Sequence, residues 1–207
     1  MDKRTIIVAN RGSAFAHHAR LLGLCVVEAG EPPGTPEQWG AIFWDMLSMD
    51  NIIVRNRVMT TLLKAPKTCT RILDFNLASA DAASKDIVRQ SLAHCDLLKT
   101  DEAALHSLCM LFGIDARYTF DSCSDLMAAF GMKTLILTHG RWGCHVFQGN
   151  AVSEKMGHLA FGKCTTEEAE GAFTAAYYNA SREQGLPFTE YHRKALDYLT
   201  SLCSSVR

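Results

Sequence analysis

The segment from Lys163 to Tyr177, KCTTEEAEGAFTAAY, holds three glutamates that could do acid–base chemistry. Two threonines are followed by Glu167, Glu168 and Glu170, and then by an alanine-rich stretch that favours a helix. A carboxylate held there could take a proton from a bound hydroxyl group. The same acids also suit the first turn of a helix, because the helix dipole stabilises negative charge there. The residue types therefore allow both a catalytic and a structural interpretation.

A second pattern is the glycine-containing turn LTHGRWG at 137–143, where a predicted strand ends. Gly140 and Gly143 permit backbone conformations with positive φ and let backbone N–H groups approach an anion closely. Together with Thr138 they predict a phosphate-binding turn. An ordinary turn between two strands would have the same residues, so this alternative stays open.

A third pattern is HCDLLKTDEAALHSL at 94–108, where a short apolar run ends at Lys99 and a helix start follows. Asp101 and Glu102 could order a metal-bound water near a phosphate, since carboxylate oxygens suit magnesium. The alternative is a capped helix start, because Thr100 precedes two acids. His139 and His145 lack a third ligand at useful spacing, so we expect no structural metal site.

Short β-branched runs alternate with longer segments of helical period, which predicts an α/β layer fold with a mainly parallel sheet. The strands are predicted at 24–29, 70–75, 133–138 and 144–148. The helices are predicted at 13–22, 36–48, 81–93, 101–112, 122–130, 167–184 and 189–203.

The charge balance and the apolar runs of the chain argue against nucleic-acid and membrane partners. With 21 basic and 22 acidic residues, the chain lacks the positive field that binding to nucleic acid requires. The longest early apolar run, Ile6 to Ala9, is far too short for a signal or membrane segment, so we expect a cytoplasmic protein with no membrane partner. The 8 cysteines are spread without a CxxC pair, which favours reduced, structural thiols.

Taken in order, these segments resemble the PfkB family of carbohydrate kinases, also called ribokinase-like, and especially its fructokinase-type members. The resemblance extends across nearly the whole chain and rests on six weak matches in one order. The matching segments are GSAFAHHARLLG for the family's GGxxxN segment, EPPGTPEQWGAIFWDMLSMDNI for its acidic-aromatic-Gly step and lid, ILDFNLA for DPNxR, CDLLKTDEAAL for KxNxxE, LTHGRWG for TxGxxG, and TTEEAEGAFTAA for DTxGAGD.

The resemblance implies a Rossmann-like three-layer α/β/α fold and transfer of the γ-phosphate of ATP to a sugar hydroxyl. In that mechanism an aspartate removes the hydroxyl proton, backbone N–H groups at a helix start stabilise the transferred charge, and Mg²⁺ bridges the phosphates. ATP and Mg²⁺ are the implied cofactors of an active enzyme. A small sugar and a nucleotide are the implied ligands.

Matched residue by residue, the catalytic segment lacks its chemistry. With Ala172 and Phe173 aligned, Gly171 stands at the catalytic aspartate, while Glu168 and Glu170 replace two glycines. Two carboxylates at a phosphate site would repel the phosphate. A slip of one residue would make Glu170 the base.

The other segments depart from the family in the same direction. Arg11 stands at a glycine, Ala16 at the sugar-contacting asparagine, Phe75 and Ala78 at the proline and arginine of DPNxR, Asp101 at an asparagine and Ala104 at the glutamate linked to magnesium. The implied nucleotide-binding residues are Thr138, Gly140, Gly143, Lys99 and Asp101. The implied substrate-binding residues are Gly12, Asp74 and Asn76. Glu102 is the implied metal residue, acting through water.

We therefore expect one PfkB-like domain, with a reduced substrate and lid side at 12–63 and a nucleotide-side core at 68–207. The segment IIVRNRVMTTLLKAPK is interpreted as the remains of a lid, and the N-terminal strand is expected to be nearly absent. The first hypothesis is a weakly active or inactive kinase, a pseudokinase. The alternatives are an active kinase for a fructose-like sugar that uses Glu170, a non-catalytic nucleotide-binding or scaffold subunit, and a homodimer formed through an uncovered half-sheet.

Overall fold

A single eight-stranded sheet organises the chain in the computed structural model, which describes residues 5–30, 34–76, 84–156, 164–183 and 185–204. The strands are β1 Thr5–Val8, β2 Val26–Glu28, β3 Trp39–Asp45, β4 Thr70–Phe75, β5 Leu97–Asp101, β6 Thr134–Thr138, β7 Gly143–Gln148 and β8 Ala151–Met156. Their order across the sheet is β2-β1-β3-β4-β5-β6-β7-β8. The strands from β2 to β6 are parallel to their neighbours, and β7 and β8 add an antiparallel edge.

Helices cover both faces of the sheet. They are α1 Ala14–Leu21, α2 Met46–Asp50, α3 Ile52–Lys64, α4 Lys85–Ala93, α5 Glu102–Phe112, α6 Thr119–Phe130, α7 Thr166–Ser181 and α8 Phe188–Ser204, with short 3₁₀ turns at Pro36–Gln38 and Gly140–Trp142. Helices α1, α7 and α8 bury side chains such as Phe15 and Phe173 against one face. Helices α2 to α6 bury side chains such as Leu62 and Leu108 against the other. The α/β fold class predicted from the sequence is confirmed.

The N-terminal strand corrects one sequence expectation, and the segment interpreted as the remains of a lid is helical. Thr5–Val8 forms β1 and pairs with both β2 and β3, so the N-terminal strand is present rather than nearly absent. The lid-like segment is the regular helix α3, whose start is capped because the Asn51 side chain accepts hydrogen bonds from the N–H groups of Ile53 and Val54. All strands of the described residues belong to the one sheet.

The predicted helix at 36–48 is wrong for most of its length. Trp39–Asp45 forms β3, and only Met46 onward is helical. Six of the seven β3 residues are buried, because this strand lies between β1 and β4 and is covered on both faces. A continuous apolar run of this kind is typical of a parallel strand, and periodicity alone cannot separate it from a buried helix.

Helix α8 is anchored to the antiparallel edge by the buried side chain of His192. Its Nε2 lies 3.2 Å from the Sγ of Cys144 on β7, and its Nδ1 lies 3.0 Å from the Oγ of Ser153 on β8. Burial lowers the pKa of His192 to about 4, so the ring is neutral in the folded protein. Burial also raises the pKa of the Cys144 thiol well above its ordinary range, which fits the reduced structural thiol expected from the sequence.

Within the described part of the chain, no helix combines the length and the apolar character that a bilayer crossing needs.

Candidate functional site

The main cleft has a volume of about 760 Å³ and opens at the carboxyl edge of the parallel strands. Its walls come from the segments that follow β1, β3, β4 and β5, together with the first turns of α1 and α7. Side chains that leave neighbouring parallel strands at this edge converge, and ligands bind there in open α/β sheets. The residues that line the cleft include Asn10, Gly12, Phe15, Phe43, Asp45, Asp74, Asn76, Lys99, Asp101, Gly140, Glu167, Glu170 and Gly171.

A buried lysine joins two carboxylates in this cleft. Asp74 on β4 and Lys99 on β5 are register partners, and Lys99 Nζ lies 3.1 Å from Asp74 Oδ1. The same ammonium group contacts Glu170 on α7, and the Lys99 side chain is only 4% exposed. Burial acts to lower the pKa of Lys99, but the two carboxylates outweigh it and hold the pKa above its ordinary value. Lys99 is therefore charged and is shared between Asp74 and Glu170.

Gly171 lies where α7 approaches the start of α1 most closely. A methyl group at position 171 would lie 2.5 Å from the Cβ of Ala14 and 2.8 Å from the backbone nitrogen of Phe15. No real Cβ tolerates such distances, so a larger residue at 171 requires α1 to move. The space that an aspartate would need at this position is filled by the other helix.

The start of α7 is closed by its own residues. The Thr165 hydroxyl accepts a hydrogen bond from the N–H of Glu168 at 3.2 Å, and the Glu168 carboxylate accepts one from the N–H of Thr165 at 2.8 Å. This capping box satisfies two of the backbone donors near the helix start. Glu167 and Glu170 then line the cleft beside it. Carboxylates, rather than a glycine-lined row of N–H groups, thus face the cavity.

Little space separates the glycine turn from α7. Gly140 and Gly143 have φ values of +56° and +108°, as expected for glycines in a tight turn. The crevice that Thr138 shares with these glycines measures about 20 Å³, and Leu196 and Leu199 of α8 form part of its wall. That volume is close to one water molecule. Among the three residues of the turn pattern, Gly140 also reaches the main cleft.

The implied substrate residues lie together in the main cleft. Gly12, Asp74 and Asn76 all line it, and the N–H of Gly12 donates a 2.8 Å hydrogen bond to Oδ1 of Asn10. Asp101 also lines the cleft, where its Oδ1 caps α5 by accepting from the N–H of Ala104 at 2.8 Å. The sequence position that matches the DPNxR arginine, Ala78, lies outside the described residues.

Glu102, the implied metal residue, is part of a chain of imidazoles beside the cleft. Its Oε1 lies 3.1 Å from Nδ1 of His139, whose Nε2 lies 2.7 Å from Nδ1 of His145. Glu102 does not line the main cleft. Over the described ranges, no three histidine, cysteine or acidic side chains are arranged to hold a metal ion.

Sequence reasoning missed several residues of the cleft, including Asn10, Asp45 and Phe43. Asn10 follows β1, and Asp45 ends β3 with its carboxylate held by the Ser48 N–H at 2.7 Å and the Ser48 hydroxyl at 2.6 Å. Phe43 stacks on Phe15 with ring centroids 4.0 Å apart and forms an apolar wall. The available signal was a polar residue directly after each apolar run. It was hidden for Asp45 because the run was interpreted as a helix.

The charges of the cleft disfavour the triphosphate that the resemblance implies, whereas its carboxylates are of the type that binds magnesium. Of the described residues that line the cleft, five carry carboxylates and Lys99 alone is basic. That ammonium is already shared by Asp74 and Glu170. A triphosphate would meet net negative charge at short range, in a cavity where charges are poorly screened.

Comparison with known proteins supports the fold and gives no sequence relative. No family model matches the chain, and no curated protein is significantly similar in sequence. Among solved structures, the chain resembles a Vibrio cholerae fructokinase bound to fructose, ADP and calcium, with 17% identity, a TM-score of 0.60 and coverage of 82% of this chain and 54% of that one. An aminoimidazole riboside kinase from Salmonella enterica has 15% identity, a TM-score of 0.60 and coverage of 87% and 66%.

A nucleoside kinase from Methanocaldococcus jannaschii, an archaeal member of the ribokinase family, aligns over 98% of this chain and 74% of its own, with 10% identity and a TM-score of 0.62. The chain spans about half of the length of the fructokinase (54%) and about two thirds of the length of the riboside kinase (66%). At these identities the likeness concerns the backbone. The mostly parallel eight-stranded sheet with helices on both faces is therefore the ribokinase-like three-layer α/β fold.

Proposed function

We propose that this protein binds a small polyhydroxylated ligand, a sugar or a nucleoside, in the main cleft, with weak or absent phosphotransfer. In the terms of the sequence analysis it is a pseudokinase of the ribokinase-like fold. We also propose that residues 1–207 act as one cytoplasmic domain, with a substrate side at 12–63 and a nucleotide-side core at 68–207. The sugars and nucleosides in the names of the similar structures support the ligand class.

The observation that carries the proposal is the Lys99 bridge between Asp74 and Glu170. A general base must be free to accept a proton from the bound hydroxyl group. Glu170, the candidate base, contacts a buried ammonium, and protonating it would leave that ammonium with one carboxylate fewer. The same groups can still recognise hydroxyls, because a carboxylate has several lone pairs and accepts hydrogen bonds from more than one donor.

The charge of the cleft supports an uncharged ligand over a phosphorylated one. Sugar hydroxyls donate hydrogen bonds to carboxylate and amide oxygens at no electrostatic penalty. A phosphate would approach Glu167 and Glu170 at a helix start whose capping box already uses two donors. The proposed contacts for weak nucleotide binding are Thr138, Gly140, Gly143 and Lys99. Asp101 and the exposed Glu102 are the acidic residues beside these contacts.

A second candidate function is an active kinase for a fructose-like sugar with ATP and Mg²⁺. The observation in its favour is that Glu170 lines the cleft one residue from Gly171, where α7 closely approaches α1. A third is a scaffold subunit that binds neither nucleotide nor sugar, which includes the homodimer expected from the sequence.

The experiment combines isothermal titration with a panel of sugars and nucleosides, with and without ATP and Mg²⁺, and a coupled assay of ADP release. We expect saturable binding of at least one panel member, weakened about tenfold by Asp74→Asn through the loss of a charge-assisted hydrogen bond. We expect ADP release at background with every sugar. Glu167→Gln, which removes a carboxylate from the same cleft, is the control for changes of charge alone.

Sugar-dependent ADP release that Glu170→Gln abolishes and Glu167→Gln preserves would establish the active kinase. Absence of binding across the whole panel would leave the scaffold, and sedimentation would then report whether the scaffold is a dimer.

A further inference from the structure

A second cavity, which shares no lining residue with the main cleft, extends from Trp39 at the start of β3 to Gly30, just after the end of β2. It measures about 460 Å³, within the range of small-molecule sites, and it is formed between α3 and the start of β3. Trp39, the first residue of β3, lines this cavity, whereas Asp45, the last, lines the main cleft. Six residue steps of extended strand separate them by about 20 Å. The two cavities are therefore distinct sites.

One face of α3 supplies positive charge to this cavity. Arg57, Thr61 and Lys64 line it from successive turns, and Asn56 and Thr60 lie beside them. Over the described part of the chain, the Arg57 and Lys64 side chains form no ion pair, and no carboxylate residue lines the cavity. The two cations come from helix positions seven residues apart, which is about 10 Å along the axis. Their side chains can engage two anionic groups of one molecule.

The wall contains a buried polar group that lacks a partner. Trp39 is 2% exposed, and its indole N–H has no hydrogen-bond acceptor among the described residues. Buried polar groups in folded proteins are nearly always satisfied. The indole nitrogen is inaccessible to solvent, so Trp39 gives the cavity an apolar wall. Lys64 lies in the last turn of α3, where the helix dipole stabilises its positive charge. That effect does not explain the presence of Arg57 or the unpartnered indole.

We propose that this cavity binds a small molecule with two anionic groups, phosphate or carboxylate, held by Arg57 and Lys64 at its ends. Arg57 provides the forked donor pair that suits such groups, and Lys64 provides a point charge. The polar side chains of Asn56 and Thr60 supply neutral hydrogen bonds between them. The site does not depend on the sugar or nucleoside site.

The test uses pyrophosphate as a probe with two phosphate groups and citrate as a probe with carboxylates, titrated by calorimetry at low ionic strength. The Arg57→Ala, Lys64→Ala double variant removes both cations from exposed positions, so folding is preserved. We expect it to weaken pyrophosphate binding by about tenfold or more, since each charge-assisted contact contributes substantially. Inorganic phosphate, which can reach only one cation at a time, should bind more weakly than pyrophosphate to the wild type.

The matched control is the double variant Arg89→Ala, Lys155→Ala, which removes the same net charge at sites away from the cavity. It should change the affinity by less than about twofold, as expected for exposed charges. Equal loss in both double variants, or no difference between phosphate and pyrophosphate, would overturn the proposal in favour of attraction by general charge. Binding unchanged by Asp74→Asn separates this site from the main cleft.

Discussion

The ammonium group of Lys99 on β5 contacts the carboxylate of Glu170 on α7 while it also lies 3.1 Å from Asp74 on β4. This relationship joins the parallel sheet to the helix that covers its carboxyl edge. It also places a permanent positive charge between the two acids that would otherwise repel each other.

Replacing Lys99 with methionine should destabilise the fold by about 3 kcal/mol, because it leaves two carboxylates side by side in a poorly solvated position. Urea unfolding at pH 7 measures this change. The loss should become smaller as the pH falls, since one of the two acids can then be protonated. Adding Asp74→Asn and Glu170→Gln to Lys99→Met should recover most of the stability. A triple variant as unstable as the single one would show that packing, not charge, is responsible.

Placing at position 171 the aspartate that the sequence resemblance implies should destabilise the fold and create no kinase. The added Cβ would lie 2.5 Å from Ala14 Cβ, so α1 must shift, at about 1–3 kcal/mol for overpacking. Thermal unfolding of Gly171→Ala isolates this steric effect from the effect of the carboxylate. Ala14→Gly should rescue Gly171→Ala only in part, because the Phe15 nitrogen at 2.8 Å remains. Full rescue would contradict the backbone clash.

The stability of the fold should decrease as the pH falls from about 6.5 towards 4, partly through His192. The pKa of His192 is lowered to about 4, while the unfolded chain binds a proton near 6.5, so unfolding is favoured wherever only the unfolded ring is protonated. The full effect is about 3 kcal/mol over this range. His192→Gln should flatten the dependence of unfolding free energy on pH in this range, and the exposed His106→Gln should not. Parallel curves for wild type and His192→Gln would refute this linkage.

Thr165→Ala should destabilise the protein by about 1 kcal/mol through loss of the capping box. The neighbouring Thr166 is exposed and makes no capping bond, so Thr166→Ala is a matched control with little expected change. Denaturant unfolding of the two variants compares them directly. If both variants lose the same stability, the hydrogen bond between Thr165 and Glu168 has no special role.

The strands that could be predicted from the sequence were those with clear ends. The prediction at 70–75 matches β4, and that at 133–138 matches β6 within one residue, because each run is β-branched and is bounded by polar residues. β8, AVSEKM, was missed because it is an edge strand with mostly exposed positions and lacks a strong apolar pattern. Only the sheet context of β7 identifies it as a strand.

The candidate site was predictable in its parts but not in its contacts. Asp74, Lys99 and Glu170 were each identified from short sequence patterns, and the structure brings them together in one cleft. Nothing in the sequence spacing reveals that Lys99 bridges the two acids, since that depends on strand register and on the position of α7. The tight approach of Gly171 to α1 was equally hidden, because it arises between helices far apart in the chain.

The position of the main cleft follows from the connectivity of the chain. β1 continues through α1 on one face of the sheet to β2, and β3 continues through α3 on the opposite face to β4. The chain thus departs in opposite directions from two adjacent strands, and the gap between the two departing segments is where Asn10 and Asp45 meet the cavity. Point substitutions can remove every reactive group from this gap without filling it. The connectivity therefore maintains a cavity that can bind a ligand whether or not the protein is an enzyme. The ligand can then change during evolution while the fold stays the same.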